Sequence, residues 1–414
     1  MYLADSRSAA ETPRTPGGLG AAVPGTVLAL GAVSLITDIS SEMVTAVLPL
    51  YVVAGLGLSP LGFGVLDGIN NGVGALVRLI GGHLADRGGR SHKAVAAVGY
   101  GLSALCKPLL LLVHTVPLIG AVLAVDRTGK GLRTAPRDAM ISLATRPEHR
   151  GRAFGVHRAM DTTGALLGPL VAFGVLRATV DGYDAVFAVS GCVAVLGVLV
   201  LLLFVPARRA GQAPGAPRPA LRDSLTLLRL PALRRLTLCA VLLGLTTVSD
   251  SFLYLLLQRQ LALPATLFPL LPLGTAASFL LLAVPLGALA DRIGRRTLFL
   301  LGHGVLLLAY ALVLTVSASG VAVAVLLLHG TFYAATDGVL AAAAADVTPA
   351  AQVGAGLALV GTGQALARFV CSLAFGAAWS AWGGHTALAT TAVGLALSAA
   401  VVTVLLRTLR EVPA

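Results

Sequence analysis

Long apolar segments recur along this chain and restrict its possible folds more than any other feature. Crossing the hydrocarbon core of a bilayer takes a helix of about 20 residues. Within lipid a helix satisfies its own backbone hydrogen bonds, which an open strand cannot do. We therefore interpret the apolar segments as membrane-spanning helices. The twelve predicted spans are 26–54, 61–85, 93–114, 117–137, 152–177, 184–206, 233–257, 265–290, 297–316, 319–341, 354–379 and 384–407.

The balance of apolar and charged residues supports the same interpretation. Of the 414 residues, 57% are hydrophobic and 12% are charged, whereas a globular domain carries about 25% charged residues. Too few polar side chains are present to cover a water-exposed surface. The net charge is +12, and most cations lie in short segments between apolar runs, which is typical of cytoplasmic loops. The predicted partner is thus a lipid bilayer, and we expect no nucleic-acid binding.

A polar stretch rich in Pro and Arg separates the sixth span from the seventh. We expect six-helix bundles over 26–206 and 233–407, joined by a linker over 207–232. An even number of spans places both termini on the linker side, and the arginines mark this side as cytoplasmic. The ends, 1–25 and 408–414, are expected to be cytoplasmic tails, the first of them disordered. The predicted location is the cell membrane, with multi-pass topology.

An internal repeat supports the division into halves. The segment GGHLADRGGR (81–90) follows the second span, and GALADRIGRR (287–296) follows the eighth. Parallel repeats occur in one large class of transporters, and this loop pattern resembles that of the major facilitator superfamily. The resemblance implies an all-α membrane protein of twelve transmembrane helices. They would form two six-helix bundles related by pseudo-two-fold symmetry, with a substrate cavity between them.

In that family the repeated loop acts as a conformational latch between the bundles. The matching residues are Gly82, Asp86, Arg87 and Arg90 in the first copy and Gly287, Asp291, Arg292 and Arg295 in the second. The resemblance implies that Asp86 and Arg90 interact with Asp138 near the end of the fourth helix. Ser91 stands where the first copy would have its last basic residue. The alternative is that these loops only anchor the membrane topology.

A second resemblance lies in the fifth helix, in the segment GVHRAMDTTGALLGPL. Its motif residues are Gly155, Gly164, Gly168 and Pro169. The motif is similar to that of the family's exporter branches, although Ala172 and Phe173 replace a Gly-Gly pair. Glycines at these spacings form a groove for a neighbouring helix, and the proline can bend the helix. The motif favours export, and ordinary packing of small residues is the alternative.

The segment AVDRTGKGLRTAPRDAM in the fourth span places six charged residues directly after an apolar run. Charged side chains within a membrane face a cavity or the bundle interior and are functional by default. Lys130, Arg133 and Arg137 share one helical face, which Arg127 extends. Arg127 followed by Gly131 resembles a pattern of proton-coupled family members, whereas Lys130 and Arg133 depart from that pattern.

Carboxylates in the first helix are predicted partners of these cations. Asp38 and Glu42 lie one turn apart on one face, near mid-span. Charges of opposite sign in a low-dielectric cavity stabilise each other, and a carboxylate there can take up a proton on one side of the membrane and release it on the other. We assign proton coupling to Asp38 or Glu42, tuned by Arg127, with Asp126 in the same group. A permanently paired structural network is the alternative.

Other charged and polar residues of the spans are predicted to line the substrate cavity. They are Asp67, Asn70, Asn71, Lys130, Arg133, Arg158, Asp161, Asp250, Tyr254, Asp337 and Arg368, with His329, Tyr333 and Gln364 as weaker candidates. The excess of deep cations in the first half indicates an anionic or zwitterionic substrate. The same excess is explained equally well by pairing with carboxylates.

These features together predict a secondary active transporter that exchanges a small solute for protons by alternating access, in the direction of efflux. Proton-coupled import of an organic anion or metabolite is one alternative, and a non-transporting membrane sensor or scaffold is another. His157 and Asp161 lie one turn apart, but no second His or Cys accompanies them at metal-ligand spacing. We therefore expect no metal site, no cofactor and no enzymatic activity, and a protein that acts as a monomer.

Overall fold

The computed structural model describes residues 23–84, 92–146, 149–180, 182–206, 226–316, 318, 320–349 and 352–407. Within these ranges the chain forms thirteen α-helices and no strand. The helices are α1 Gly25–Leu50, α2 Pro60–Leu84, α3 His92–Leu109, α4 Val116–Ala144, α5 Arg150–Ala178, α6 Gly182–Phe204, α7 Pro231–Gly244, α8 Asp250–Gln260, α9 Leu271–Ile293, α10 Arg295–Thr315, α11 Gly320–Asp346, α12 Val353–Trp382 and α13 Gly384–Arg407. A π-helical turn, Tyr51–Gly55, extends α1, and a 3₁₀ turn, Ala265–Leu270, precedes α9.

Each predicted span except the seventh falls mainly on one helix, although the ends differ; α3, for example, ends at Leu109 rather than at 114. Among the described residues, eight helices are long and apolar enough to cross a membrane. The charged stretch lies inside α4, which continues to Ala144 and so extends beyond the predicted end of its span. The predicted continuous span 233–257 is wrong, because α7 ends at Gly244 and α8 begins only at Asp250.

Polar side chains explain why the seventh span is broken. The hydroxyls of Thr246 and Thr247 donate hydrogen bonds to the Leu243 carbonyl, and such local bonds compete with the helical pattern. At the break, the backbone N–H of Val248 donates instead to the Tyr310 hydroxyl, at 2.8 Å. Non-helical backbone at membrane depth is tolerated where protein groups satisfy it or where it lines a cavity.

The two halves of the chain repeat the same helix pairings. In the first half, α1 packs on α5 and α6, α2 on α4, and α3 on α4 and α6. In the second half, α7 packs on α12 and α13, α9 on α11, and α10 on α11 and α13. Each pairing recurs six spans later, as parallel repeats require. The architecture is the twelve-span, two-bundle fold implied by the sequence.

The bundles meet most closely where α2 contacts α12, at the end opposite the connection between α6 and α7. We call this contact the α2–α12 seam, and its end of the molecule the seam end. A Cβ built on Gly376 would lie 2.6 Å from the Pro60 carbonyl oxygen, so only glycine permits this approach. The backbone N–H of Leu61 donates to the Ser380 hydroxyl, at 3.0 Å. The turn Ala265–Leu270 adds contacts with α1 and α5.

Candidate functional site

A cavity of about 370 Å³ lies in the first bundle. We call it the cationic chamber, because five cationic side chains and two carboxylates line it. They are Arg127, Lys130, Arg133, Arg137 and Arg158, with Asp38 and Asp161. Asn70 and Asn71 of α2 also line it. Predicted residues from α1, α2, α4 and α5 therefore surround one chamber.

A second cavity, of about 380 Å³, lies between the bundles and is lined by both. We call it the central cavity. Its charged lining consists of four carboxylates and one arginine, namely Glu42, Asp67, Asp250, Asp337 and Arg368. Asn70 and Asn71 line this cavity as well, so the two cavities adjoin along α2. Tyr254 and Tyr333 contribute hydroxyl-bearing rings from the second bundle.

Asp38 on α1 lies between two cations of α4. Its Oδ1 is 3.5 Å from Arg133 Nη2 and 3.7 Å from Lys130 Nζ. The Arg133 guanidinium also stacks over the Tyr100 ring, with its carbon 4.4 Å from the ring centroid. A cation held over an aromatic face gains electrostatic attraction. These contacts bring the predicted charges of the first and fourth helices together.

The partners of Arg127 and Asp126 differ from those expected. Arg127 Nη2 lies 3.7 Å from its own neighbour Asp126, rather than against a carboxylate of α1. Asp126 Oδ1 accepts a hydrogen bond of 3.0 Å from Lys107 Nζ on α3. Sequence reasoning missed Lys107, although a lone lysine in an apolar span is itself the signal of an interior partner.

A second charge cluster lies at the α5 side of the cationic chamber. The Asp161 carboxylate is 3.6 Å from Arg158 and 3.8 Å from Arg137. Arg137 Nε also donates to Asp138, at 3.0 Å. The contact between Arg137 and Asp161 is therefore an ion pair that links α4 with α5.

Asp67 on α2 joins the two bundles. Its Oδ1 accepts from the Ser249 hydroxyl at 2.8 Å, and its Oδ2 accepts from the Ser372 hydroxyl at 2.6 Å. The Asn71 side chain donates to Oδ2 at 3.3 Å. Asp67 is 6% exposed, and no described cation lies within ion-pair distance of it. The two serines were not among the predicted residues, since a lone serine in a span gives no signal.

A hydrogen-bonded group around Asp250 forms the second-bundle side of the central cavity. The Tyr333 hydroxyl donates to Asp250 Oδ1 at 2.5 Å, and His329 Nε2 lies 3.6 Å from the same oxygen. The predicted Tyr254 lines the cavity, but its hydroxyl donates to Thr275, at 3.0 Å. Two of the weaker candidates, His329 and Tyr333, therefore contact Asp250 directly.

Besides Asp67, three more charged residues of the central cavity lack an ion pair among the described residues. Glu42 and Asp337 have no described cation within ion-pair distance. Arg368 has its guanidinium carbon 5.6 Å from the centroid of the Tyr333 ring, and no described carboxylate lies within ion-pair distance of it. These groups can therefore bind a solute without first breaking an ion pair.

The second copy of the repeated loop lies within the second bundle. Gly294 has a φ of +91° between α9 and α10, a backbone conformation that favours glycine. Arg295 pairs with Asp346 at the end of α11 and with Asp291 at 3.7 Å, and Arg292 is exposed. Gly287 was expected at a close helix contact, but a Cβ there would meet nothing within 4 Å.

The first copy of the repeated loop is described only in part. Gly82 belongs to α2, whereas Asp86, Arg87 and Arg90 lie outside the described residues. Their predicted partner Asp138 binds Arg137.

The glycines of α5 form a groove for α1 over part of the predicted motif. A Cβ on Gly164 would lie 2.9 Å from Leu35 Cα, and one on Gly168 would lie 2.8 Å from the Ile39 carbonyl oxygen. Pro169 is buried beside them. Gly155 does not take part, since a Cβ there would meet nothing within 4 Å.

His157 is held by a serine. Its Nε2 lies 2.9 Å from the Ser34 hydroxyl on α1. Across the part of the chain that the structure describes, no group of three or more His, Cys, Asp and Glu residues could hold a metal ion.

Comparison with known proteins gives a family match over most of the chain. The model of the Major Facilitator Superfamily matches residues 30–282 and 236–414. An uncharacterised MFS-type transporter of Methanocaldococcus jannaschii is 28% identical over 302 residues, which are 69% of this chain and 72% of that protein. The multidrug resistance protein MdtH of Photorhabdus laumondii is 29% identical over 181 residues, 42% of this chain and 43% of that one. The solved nucleoside transporter NupG superimposes with a TM-score of 0.79 at 14% identity, covering 92% of this chain and 99% of that chain.

Proposed function

Because this chain belongs to the major facilitator superfamily and is a multi-pass membrane transporter rather than an enzyme, we propose that it exports a small solute in exchange for protons. The two bundles rock about the central cavity, which faces one side of the membrane at a time. The protein acts as a monomer, since one chain supplies both walls of the cavity.

The α2–α12 seam supports alternating access. It brings glycine backbones of the two bundles together at one end of the molecule, while the cationic chamber lies toward the other end. In our proposal the linker expected over 207–232 and both termini are cytoplasmic, because cytoplasmic segments carry the excess of Lys and Arg. The described conformation then has its cavity closed to the outside and accessible from the cytoplasm.

The proposal of proton coupling rests on one observation, which is the set of contacts that Asp67 makes. Its carboxylate contacts hydroxyl and amide groups from both bundles. Such a group can gain a proton without breaking an ion pair, and a protonated oxygen then donates where it had accepted. Protonation therefore changes the bonds to Ser249 and Ser372 that hold the bundles together. A link between proton uptake and bundle movement is what exchange requires.

This reasoning changes which carboxylate we propose as the proton carrier. Asp38 would have to leave two cations, Arg133 and Lys130, to function in this way. Glu42 lines the central cavity without a described cation beside it and can act together with Asp67. We propose Asp67 and Glu42 as the carriers, with Asp38 as a structural partner of α4.

Export is the proposed direction because of two similarities. The α5 motif resembles that of exporter branches, and two of its glycines pack against α1. A relative over 42% of the chain is a multidrug resistance protein. Import of an organic anion or metabolite is the alternative, and a flux assay in proteoliposomes distinguishes the two directions.

The test uses full-length protein in proteoliposomes with an imposed pH gradient. Solutes that raise the melting temperature of the purified protein in a screen of anions, cations and zwitterions supply the labelled substrates. We expect Asp67→Asn and Glu42→Gln to lose gradient-driven flux while solute exchange at equal pH continues. Asp184→Asn, at an exposed carboxylate outside both cavities, is the matched control and should transport as the native protein does.

Two outcomes would contradict the proposal. If the double variant Asp67→Asn, Glu42→Gln has undiminished gradient-driven flux, the assignment of these two residues as proton carriers is wrong. Solutes that bind the native protein but never cross the membrane, under any gradient, would favour a sensor.

A further inference from the structure

The cationic chamber and the central cavity adjoin but have opposite charge. Five cations and two carboxylates line the first, and four carboxylates and one arginine line the second. We propose that the substrate is an organic zwitterion, with its oxyanion in the cationic chamber and its ammonium group in the central cavity. This inference rests on the proposed transport function and names the substrate class of that site.

The positive charge of the chamber exceeds what its own carboxylates can balance. Asp126 and Asp138, just outside the lining, pair with Arg127 and Arg137, but Asp126 is shared with Lys107. Even with these three residues included, six cations face four carboxylates. Pairing with carboxylates therefore leaves a positive excess, which an anionic group of the substrate would neutralise.

Two arginines of the chamber also lack hydrogen-bond acceptors. Arg133 Nη1 and Arg127 Nε are buried and have no partner among the described residues, and Arg133 is 3% exposed. Leaving a buried N–H group unpaired is costly. A carboxylate or phosphonate oxygen that enters the chamber would supply the missing acceptors, and guanidinium groups bind such oxyanions in a forked geometry.

The central cavity has the complementary surplus. Glu42 and Asp337 line it without a described cation in ion-pair distance, and Asp250 is contacted by Tyr333 and the fully buried His329. An ammonium group would donate to these oxygens. Aromatic rings of the cavity wall, including Tyr254, can bind a cation over their faces.

Asn70 and Asn71 line both cavities, so a ligand that occupies the two must pass these neutral amides. A simple anion would gain the arginines but face four carboxylates in the central cavity. A simple cation would gain the carboxylates of the central cavity but face five cationic side chains in the cationic chamber. Only a molecule that carries both charges is complementary to both cavities.

This arrangement also provides a means of exchange. The ammonium group of the substrate and the transported proton would both occupy Glu42, the carboxylate of the central cavity that the two assignments share. Binding of one then displaces the other, which is the competition that antiport requires.

The experiment is equilibrium binding by the purified full-length protein without any gradient. The probes are ω-amino carboxylates and ω-amino phosphonates with two to six methylenes. The matched single-charge probes are alkyl carboxylates, alkyl phosphonates and alkylamines of the same lengths. We expect the best-fitting zwitterion to bind at least about tenfold more tightly than either half alone, which corresponds to one charge-assisted contact. The carboxylate and phosphonate series distinguish the two kinds of oxyanion.

Variants assign each end of the probe to its cavity. Arg133→Gln should weaken the zwitterion and the simple anion about tenfold and leave the alkylamine unchanged. Asp337→Asn should weaken the zwitterion and the alkylamine and leave the simple anion unchanged. Arg177→Gln and Asp184→Asn, both exposed and outside the two cavities, are the matched controls and should bind every probe as the native protein does.

The ranking of probes by the native protein decides the question even if a variant does not fold. The inference fails if a simple anion or amine binds as tightly as the zwitterion, or if no probe of either series binds. If zwitterions bind but are not transported in proteoliposomes, the proposed transport function is wrong and the zwitterion-binding site is still supported. If a solute with only one kind of charge is transported, the zwitterionic substrate class is wrong and the transport function is still supported.

Discussion

At the scale of residues, a buried ion pair anchors the charged stretch of the first bundle. Lys107 Nζ on α3 is 3.0 Å from Asp126 Oδ1 on α4, and each residue is 3% exposed. Burying two charges removes their hydration free energy, and their mutual attraction offsets part of that loss. Removing one partner leaves the other charge buried and unpaired, so it lowers stability far more than removing both does. The pair fixes α3 against α4 beside Arg127.

Removing one member of this pair should destabilise the protein. We expect Lys107→Met to lower the free energy of unfolding by about 3–5 kcal/mol, because it leaves the Asp126 carboxylate buried without its lysine. The double variant Lys107→Met, Asp126→Leu should recover only part of that loss, because it also leaves Arg127 without its carboxylate. Denaturant unfolding in detergent measures both. A single variant as stable as the native protein would show that the pair contributes no stability.

At the scale of elements, the break between α7 and α8 positions the central site. It places Ser249 against Asp67 of the other bundle, at 2.8 Å, and Asp250 at the start of α8 beside Tyr333. The break is held from α10 by Tyr310, whose hydroxyl accepts the backbone N–H of Val248. Discontinuous spans with binding groups at the break are a recurring feature of transporters.

Loss of the Tyr310 hydroxyl should therefore weaken this element. Tyr310→Phe would leave the Val248 N–H buried and unpaired, and should lower the free energy of unfolding by about 1–3 kcal/mol. Tyr100→Phe is the matched control, because the Tyr100 hydroxyl is buried without a hydrogen-bond partner among the described residues. Thermal unfolding of the two variants side by side measures the difference. Equal stability of the two would mean that Tyr310 does not hold the break.

At the scale of the whole molecule, the α2–α12 seam determines which end of the cavity is closed. Aromatic rings join α2, α8 and α12 at the seam end, where the Phe63 and Phe252 centroids are 4.9 Å apart and Phe252 also contacts Trp379. With glycine backbones in contact alongside these rings, the seam is packed like a protein interior. Opening it requires the two bundles to move as bodies.

A cross-link across the seam should stop transport. Leu61→Cys and Ser380→Cys, in a background without the four native cysteines, introduce thiols where the Leu61 N–H now meets the Ser380 hydroxyl. Oxidation should abolish solute flux, and a reductant should restore it, because the bundles cannot separate while the disulfide is intact. Ligand binding from the open end should persist, and each single cysteine variant is the control. Full flux in the oxidised protein would exclude opening of this seam.

Much of the fold could be predicted from the sequence because it depends on local properties. A bilayer demands about 20 apolar residues per helix whatever the neighbouring helices are, so the predicted span 384–407 coincides with α13 and 152–177 lies within α5. The repeated loops indicated two equivalent halves, and helical spacing placed Lys130 and Arg133 on one face, where both meet Asp38.

The partners of the site residues were decided only by tertiary structure. Asp67 and Ser372 are 305 positions apart and bond to each other, and Arg127 lies against Asp126 rather than a carboxylate of α1. The sequence determines which faces of each helix are polar. How far each helix turns about its axis, and where the seventh span breaks, depends on packing between helices that are distant in the chain. That packing separates the positive chamber from the negative cavity.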